Sequence, residues 1–229
     1  PYRPYYRDYP PESSVTWREQ LLGRILADPL EYSVGSESRY SDLGFMLLGR
    51  VVENRSGLPL DKVFQERLSK PLGLADDLLY LPLDRPLAVP RERIAATEAC
   101  PWRGRVLQGE VHDEHCWLLG GVAGHAGLFG TLHGVRTLAE WLLDVWQGRA
   151  QHPAIPACLL RKALARRGPH STWGLGFDTP TPGSSSSGRW FAPTSVGHLG
   201  FSGTSLWIDP EREVVAVLLT NRVHPSRDN

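Results

Sequence analysis

Apolar residues recur at helical spacing through most of the chain and at strand spacing near its end. Leu21, Leu22, Ile25 and Leu26 form the first helical stripe. It is opened by a capping box, Thr16-Trp17-Arg18-Glu19, and stopped by Pro29. After a turn with Gly35, Ser36 and Ser38, the stripe Leu43, Met46, Leu47, Val51 and Val52 predicts a second helix behind Tyr40-Ser41-Asp42. Gly57 is placed to cap that helix and Pro59 to seal it. A third helix is predicted from about Asp61 to Leu68. Residues 75–110 are proline-rich and aperiodic, the mark of a long loop that is functional or packed on something. Thr131 caps a predicted helix bearing Leu138, Trp141, Leu142 and Val145, closed by Gly148, and a shorter helix is expected over about Pro156 to Arg166.

The period then changes. Ser195–Phe201, Thr204–Ile208 and Val214–Thr220 read as strands, the last two joined by the turn Asp209-Pro210-Glu211-Arg212. Val214 to Leu219 is apolar at every position, which predicts a strand covered on both faces. Helices first and an antiparallel sheet afterwards make an α+β fold. The expected organisation is a helical region with long loops over 1–180 and sheet strands over 188–222, within a single incomplete domain 1–229.

Composition narrows the function. The 229 residues carry 25 basic and 25 acidic side chains, so no charge excess points to nucleic acid. The longest apolar run falls far short of the ~18 residues of a membrane span. Three cysteines without a C-x-x-C pair give no disulfide or zinc framework. The sequence opens in mid-loop at Pro1-Tyr2-Arg3-Pro4 and ends directly after an apolar strand, the expectation for a piece cut from a longer chain.

Two short motifs carry candidate chemistry. Tyr40-Ser41-Asp42 opens a helix. A phenol is a weak base at neutral pH, and activating it takes ~4 kcal/mol of preference for the phenolate, normally from nearby cations. Read alone, Tyr40 is an aromatic under a turn and Ser41 a helix cap. The second motif is Gly197-His198-Leu199-Gly200-Phe201-Ser202-Gly203-Thr204, a glycine-rich strand. Glycine there marks close approach by a ligand or another backbone, and such an edge can aim N–H groups at a carbonyl oxygen. The bland reading is a bulge or a tight corner.

A third group, His112, Asp113, His115, Cys116, His125 and His133, crowds metal-donor types into 22 residues but lacks an established zinc spacing. Its plainer reading has His112 and Asp113 hydrogen-bonding the loop Gly120-Gly121-Val122-Ala123-Gly124-His125-Ala126-Gly127. Trp17, Trp141, Trp146, Trp173 and Trp207 read as core, while Trp190 and Phe191 are candidates to line a cleft. Tyr2, Tyr5 and Tyr6 are candidates for its border.

Taken together the motifs resemble the serine β-lactamase and penicillin-binding-protein superfamily, in its class C-like, esterase-containing branch. The resemblance runs through Tyr40 to Gly49, Gly120 to Phe129 and Gly200 to Pro210, and so covers nearly the whole chain. It implies a β-lactamase/transpeptidase-like fold and an acyl-enzyme mechanism with a serine nucleophile and its lysine in Ser-x-x-Lys. Tyr40 then matches the group sharing proton transfers. Asp42, His198 and Gly200 match substrate-binding positions, and Phe201 the donor of a backbone oxyanion N–H. Two departures stand out: Asp42 where the family has Asn, and His198 where it often has Lys. Both argue against an efficient β-lactamase.

Only Lys62, Lys70 and Lys162 are lysines, and three residues before them stand Pro59, Arg67 and Leu159. No Ser-x-x-Lys exists in this sequence. The expectation is therefore part of a serine hydrolase without its nucleophile helix and N-terminal strands, inactive by itself. The alternative is a non-catalytic ligand-binding homologue. The resemblance implies a small ester, amide or peptide as partner, no cofactor and no metal, and a cell-envelope or secreted location.

Overall fold

The computed structural model describes residues 3–11, 17–152, 155–168 and 171–228. The Thr16 cap, Tyr2 and His170 lie outside these residues. The chain forms two compact units, Pro1–Gly130 with Asn221–Asn229, and Thr131–Thr220. The stretch 131–180 thus belongs with the strands that follow it.

In the first unit, α1 (Arg18–Ala27), α2 (Asp42–Ser56) and α4 (Glu114–Leu118) contribute to one core, and α3 (Leu60–Phe64) packs on α2. Leu21, Leu22 and Ile25 of α1 meet Met46 of α2 and the buried Cys116–Leu119 segment in that core. Only part of each predicted stripe is used: Leu26 is 70% exposed, and Val51 and Val52 also face out. Gly57 ends α2 at φ 71°, its N–H donating to Glu53 O. The Glu53 carboxylate accepts from Arg18 of α1 (2.5 Å) and from Leu60 N of α3 (3.1 Å), tying three helices at one point. α3 runs on into a π-helical turn, Gln65–Ser69, so the predicted third helix is continuous in extent but not in winding.

The aperiodic stretch is organised by two small antiparallel ladders and by side chains. β1 (Leu78–Tyr80) pairs with β4 (Leu128–Gly130), and β2 (Ala99–Cys100) with β3 (Arg105–Val106). The buried Arg103 guanidinium donates to Val111 O and His112 O, 2.7 Å each. Arg227 reaches Glu98 and Glu114, both at 2.5 Å, and Ala99 N donates to Pro225 O. These bonds anchor the last residues of the chain in this unit.

The second unit packs α5 (Leu132–Gln147) and α6 (Ala157–Leu164) on the antiparallel sheet β5 (Val196–Gly200), β6 (Thr204–Asp209) and β7 (Val214–Leu219). Thr131 caps α5 by accepting from Gly134 N at 3.0 Å, and Gly148 closes it at φ 78°. Ala139, Leu143 and Val145 of α5 meet Leu160, Leu164, Val196 and Ile208 in the core. The fully buried Asp209 carboxylate organises the predicted β6–β7 turn, accepting from the N–H groups of Ala192, Glu211 and Arg212 and from the Arg212 guanidinium.

β7 corrects one expectation. Among the described residues it is an edge strand, with Val214, Leu218 and Leu219 exposed and Val215 packed on the core. A run of apolar residues records hydrophobicity at every position, but not how many layers cover it. Here α5 covers one face.

Candidate functional site

The two motifs fall in different units. In the first, Ser41 sits in an extended conformation at the N-cap of α2, but its side chain does not cap the helix. The Tyr40 hydroxyl instead donates to Asp42 Oδ1 at 2.8 Å, across one residue. Its ring lies 6.2 Å from that of Phe45, and the side chain is partly exposed. Partial burial holds the phenol pKa above its ordinary value, reinforced by the bond to Asp42 and by the negative charges of Asp42 and Asp113. The arrangement keeps the proton on Tyr40, opposite to what a phenolate base needs.

Asp113 caps α4. Its Oδ1 accepts from Cys116 N at 2.7 Å and lies 2.9 Å from His125 Nε2. Burial works to raise its pKa, but the bonds from His125 and Cys116 N–H and the charge of His125 outweigh that and bring it to about 2. The sequence suggested that both His112 and Asp113 would hold the glycine loop. Asp113 does so, through His125. His112 bonds Glu98 at 3.0 Å instead, and burial together with the Arg227 charge lowers its pKa despite that carboxylate. His115 is buried, with the rings of Tyr5 and Tyr6 edge-on to it, and burial lowers its pKa.

The donor types crowded into 112–133 are therefore spread over separate tasks. Cys116 Sγ donates to Ala126 O at 3.2 Å, and burial pushes its pKa up. His133 lies on α5, in the other unit. Among the described residues a different group, Glu98, Cys100 and Glu114, brings donor atoms within 4.8 Å of one another. The Arg227 guanidinium already bonds both of those carboxylates.

Glycines 120–127 form a loop pinned on several sides. Tyr80 Oη donates to Ala123 O (3.1 Å), Leu83 N to Gly120 O (3.0 Å) and Gly121 N to Cys116 O (2.9 Å). Gly124 lies directly on α2: a Cβ there would overlap Phe45 O, and one on Gly49 would stand 3.1 Å from Gly124 N. Tyr80 and Glu53 escaped sequence reading, since neither belongs to a motif and each acts through a partner far along the chain.

In the second unit, His198 lies on β5 opposite Leu206, its Nδ1 2.7 Å from Leu199 O and its ring beside Trp173. Gly197 exchanges both backbone bonds with Asp178, so its polar groups point away from β6. The two-residue period assigns Leu199 to that same outer edge. Gly197 has an internal cause: a Cβ there would overlap the Trp207 ring and Leu206 O, whereas one on Gly200 would meet only the rotatable Thr204 hydroxyl. Trp207 is buried as expected, Phe191 lies against it, and Trp190 is 74% exposed with the Arg189 guanidinium over its ring. No described helix is long and apolar enough to cross a membrane.

Comparison with known proteins places this architecture. A "Putative D-alanyl-D-alanine carboxypeptidase" of Salmonella agona is 35% identical over 227 residues, covering 90% of this chain and 50% of that protein. The chain thus spans about half the length of the curated relatives it matches. Among solved structures, the simvastatin synthase LovD of Aspergillus terreus superposes with a TM-score of 0.61 at 19% identity, over 96% of this chain and 59% of its own. A penicillin-binding-protein homologue from Caulobacter crescentus gives 0.58 at 19% identity, over 92% and 61%. At such identities the structures show the shared β-lactamase/transpeptidase-like fold. The Beta-lactamase family model matches residues 2–229, and the chain belongs to the serine β-lactamase and penicillin-binding-protein superfamily.

Proposed function

We propose that this chain carries part of the machinery of a serine hydrolase that cleaves a small ester or an amide such as a D-aminoacyl peptide through an acyl-enzyme. Tyr40 takes the role of proton-transfer partner. Asp42, His198 and Gly200 contact substrate, and the Phe201 N–H supplies one oxyanion donor. The observation that supports this most is the family match over residues 2–229, together with Tyr40-Ser41-Asp42 opening a helix and His198-Leu199-Gly200 on a sheet edge. The relatives' carboxypeptidase name, and one fold neighbour described as a hydrolase with promiscuous acyltransferase activity, favour acyl groups as the substrate class.

With no Ser-x-x-Lys among its 229 residues, the chain by itself forms no acyl-enzyme in this reading. Asp42 in place of an amide presents a second carboxylate oxygen rather than an N–H donor. It therefore favours acyl groups that offer a hydrogen-bond donor over those that offer a carbonyl. The phenol also needs a neighbouring cation before it can take a proton, the part a lysine plays in this chemistry.

The test begins with the DNA upstream of the Pro1 codon. An in-frame Ser-x-x-Lys supports the reading, and the encoded protein should then take a serine-directed phosphonate label that Tyr40→Phe slows by at least tenfold. A stop codon, or a frame without the motif, overturns it. Tyr40, Asp42 and His198 would then be residues of a ligand-binding homologue.

A further inference from the structure

Asp113 and the buried His125 side chain form a pair that the proposed chemistry does not use. The His125 side chain is 2% exposed, and its one hydrogen bond among the described residues is to Asp113. The remaining ring nitrogen, Nδ1, is buried and meets no partner there. Removing the carboxylate would leave a buried imidazole without a hydrogen bond, which native interiors avoid.

The pair sits in a position to transmit force. His125 follows Gly124, whose backbone touches α2 so closely that no Cβ fits against Phe45 O. Phe45 lies in the first turns of α2, directly after Tyr40 and Asp42. A shift of the loop therefore shifts the start of that helix. Only glycine, alanine, valine and histidine make up residues 120–127, so the loop depends on ties to its surroundings. Among the side chains that supply them, Tyr80 and Cys116 bond loop carbonyls, and Asp113 bonds the loop's one polar side chain. Asp113 also carries charge toward the phenol. The titratable groups that bear on Tyr40 are Asp42 from α2 and Asp113 from the cap of α4, while His115 of α4 feels both of those carboxylates and His125.

We propose that Asp113 and His125 are positioning residues for Tyr40, clamping the glycine loop against the first turns of α2. This deepens the reading of Tyr40 as a reactive group and rests on it, but its test requires no hydrolysis.

Tetranitromethane modifies tyrosine through the phenolate, so the nitration rate at pH 8, mapped by peptide mass on the 229-residue chain, reports how firmly each phenol keeps its proton. Asp113→Asn keeps a good helix cap and removes the charge. Tyr40 should then nitrate several-fold faster. Tyr9, whose ring packs on Trp17 at the start of α1, should keep its rate. An unchanged Tyr40 rate overturns the proposal, and so does a parallel rise at both tyrosines, which would mean general loosening.

His125→Ala should displace the NMR signals of Tyr40 and Phe45, and His125→Gln, whose amide can donate to Asp113, should restore them. Undisturbed signals in His125→Ala overturn the clamp. If no Ser-x-x-Lys exists upstream, the hydrolase reading fails while these readouts stand.

Discussion

At the scale of single residues, charge decides more than shape. Tyr40 is bonded to a carboxylate where the family motif has an amide, and that bond helps keep its proton in place. Asp42→Asn removes the charge and keeps an acceptor. The Tyr40 phenol should then titrate closer to the ordinary value of about 10, read by ultraviolet difference absorbance against Tyr40→Phe. Asp113 gives a stability prediction with a definite sign. Its folded pKa of about 2 lies below the ordinary aspartate value of 3.8, so its contribution is present above about pH 4 and lost as pH falls through about 2. The loss amounts to roughly 2 kcal/mol. Glu98, lowered first by its bonds from Arg227, and His112, lowered by burial, act in the same direction. Urea melts between pH 6 and pH 2 should show this loss, and Asp113→Asn should flatten its last part.

At the scale of elements, glycines separate into those the fold needs and those it tolerates. Gly44 lies in α2 with nothing within 4 Å of a would-be Cβ, so Gly44→Ala should stabilise the chain by about 1 kcal/mol. Gly124→Ala forces a methyl into Phe45 O and should destabilise it by roughly 2–4 kcal/mol. Thermal melts of the two variants, moving in opposite directions, test the packing of the loop on α2. A comparable tie exists in the sheet: Asp209 accepts four hydrogen bonds while fully buried, and Asp209→Asn should loosen the β6–β7 turn first.

At the scale of the whole molecule, each unit has its own core, and the last residues of the chain return to the first unit through Arg227. The outer strand β7 shows apolar side chains to solvent, and edge strands of that kind invite association. Leu218→Lys should change the melting temperature little while lowering the self-association seen by sedimentation. An unchanged sedimentation profile would show that this face does not drive association.

What the sequence determined by itself was local. Caps and stops such as Thr131, Gly57 and Gly148 set helix ends because their chemistry acts within a few residues. The alternating runs set the strands, and the motifs around Tyr40, Gly120 and Gly200 were enough to reach the superfamily. What only the tertiary structure decided involved partners far apart in the chain. Val214–Leu219 reads as doubly covered, and among the described residues it lies at an edge with α5 on one face, because composition records the need for cover and not the layers that supply it. Gly197 reads as a place of close approach, and the Trp207 ring and Leu206 backbone are what approach it. His112 and Asp113 read as one pair of loop anchors, and the fold sent one to Glu98 and the other to His125, because burial gives each imidazole the nearest carboxylate. The protonation of Tyr40 was decided in part the same way: the motif names a base, and the burial the fold gives its ring, first, then the bond to Asp42, keep the proton on the phenol.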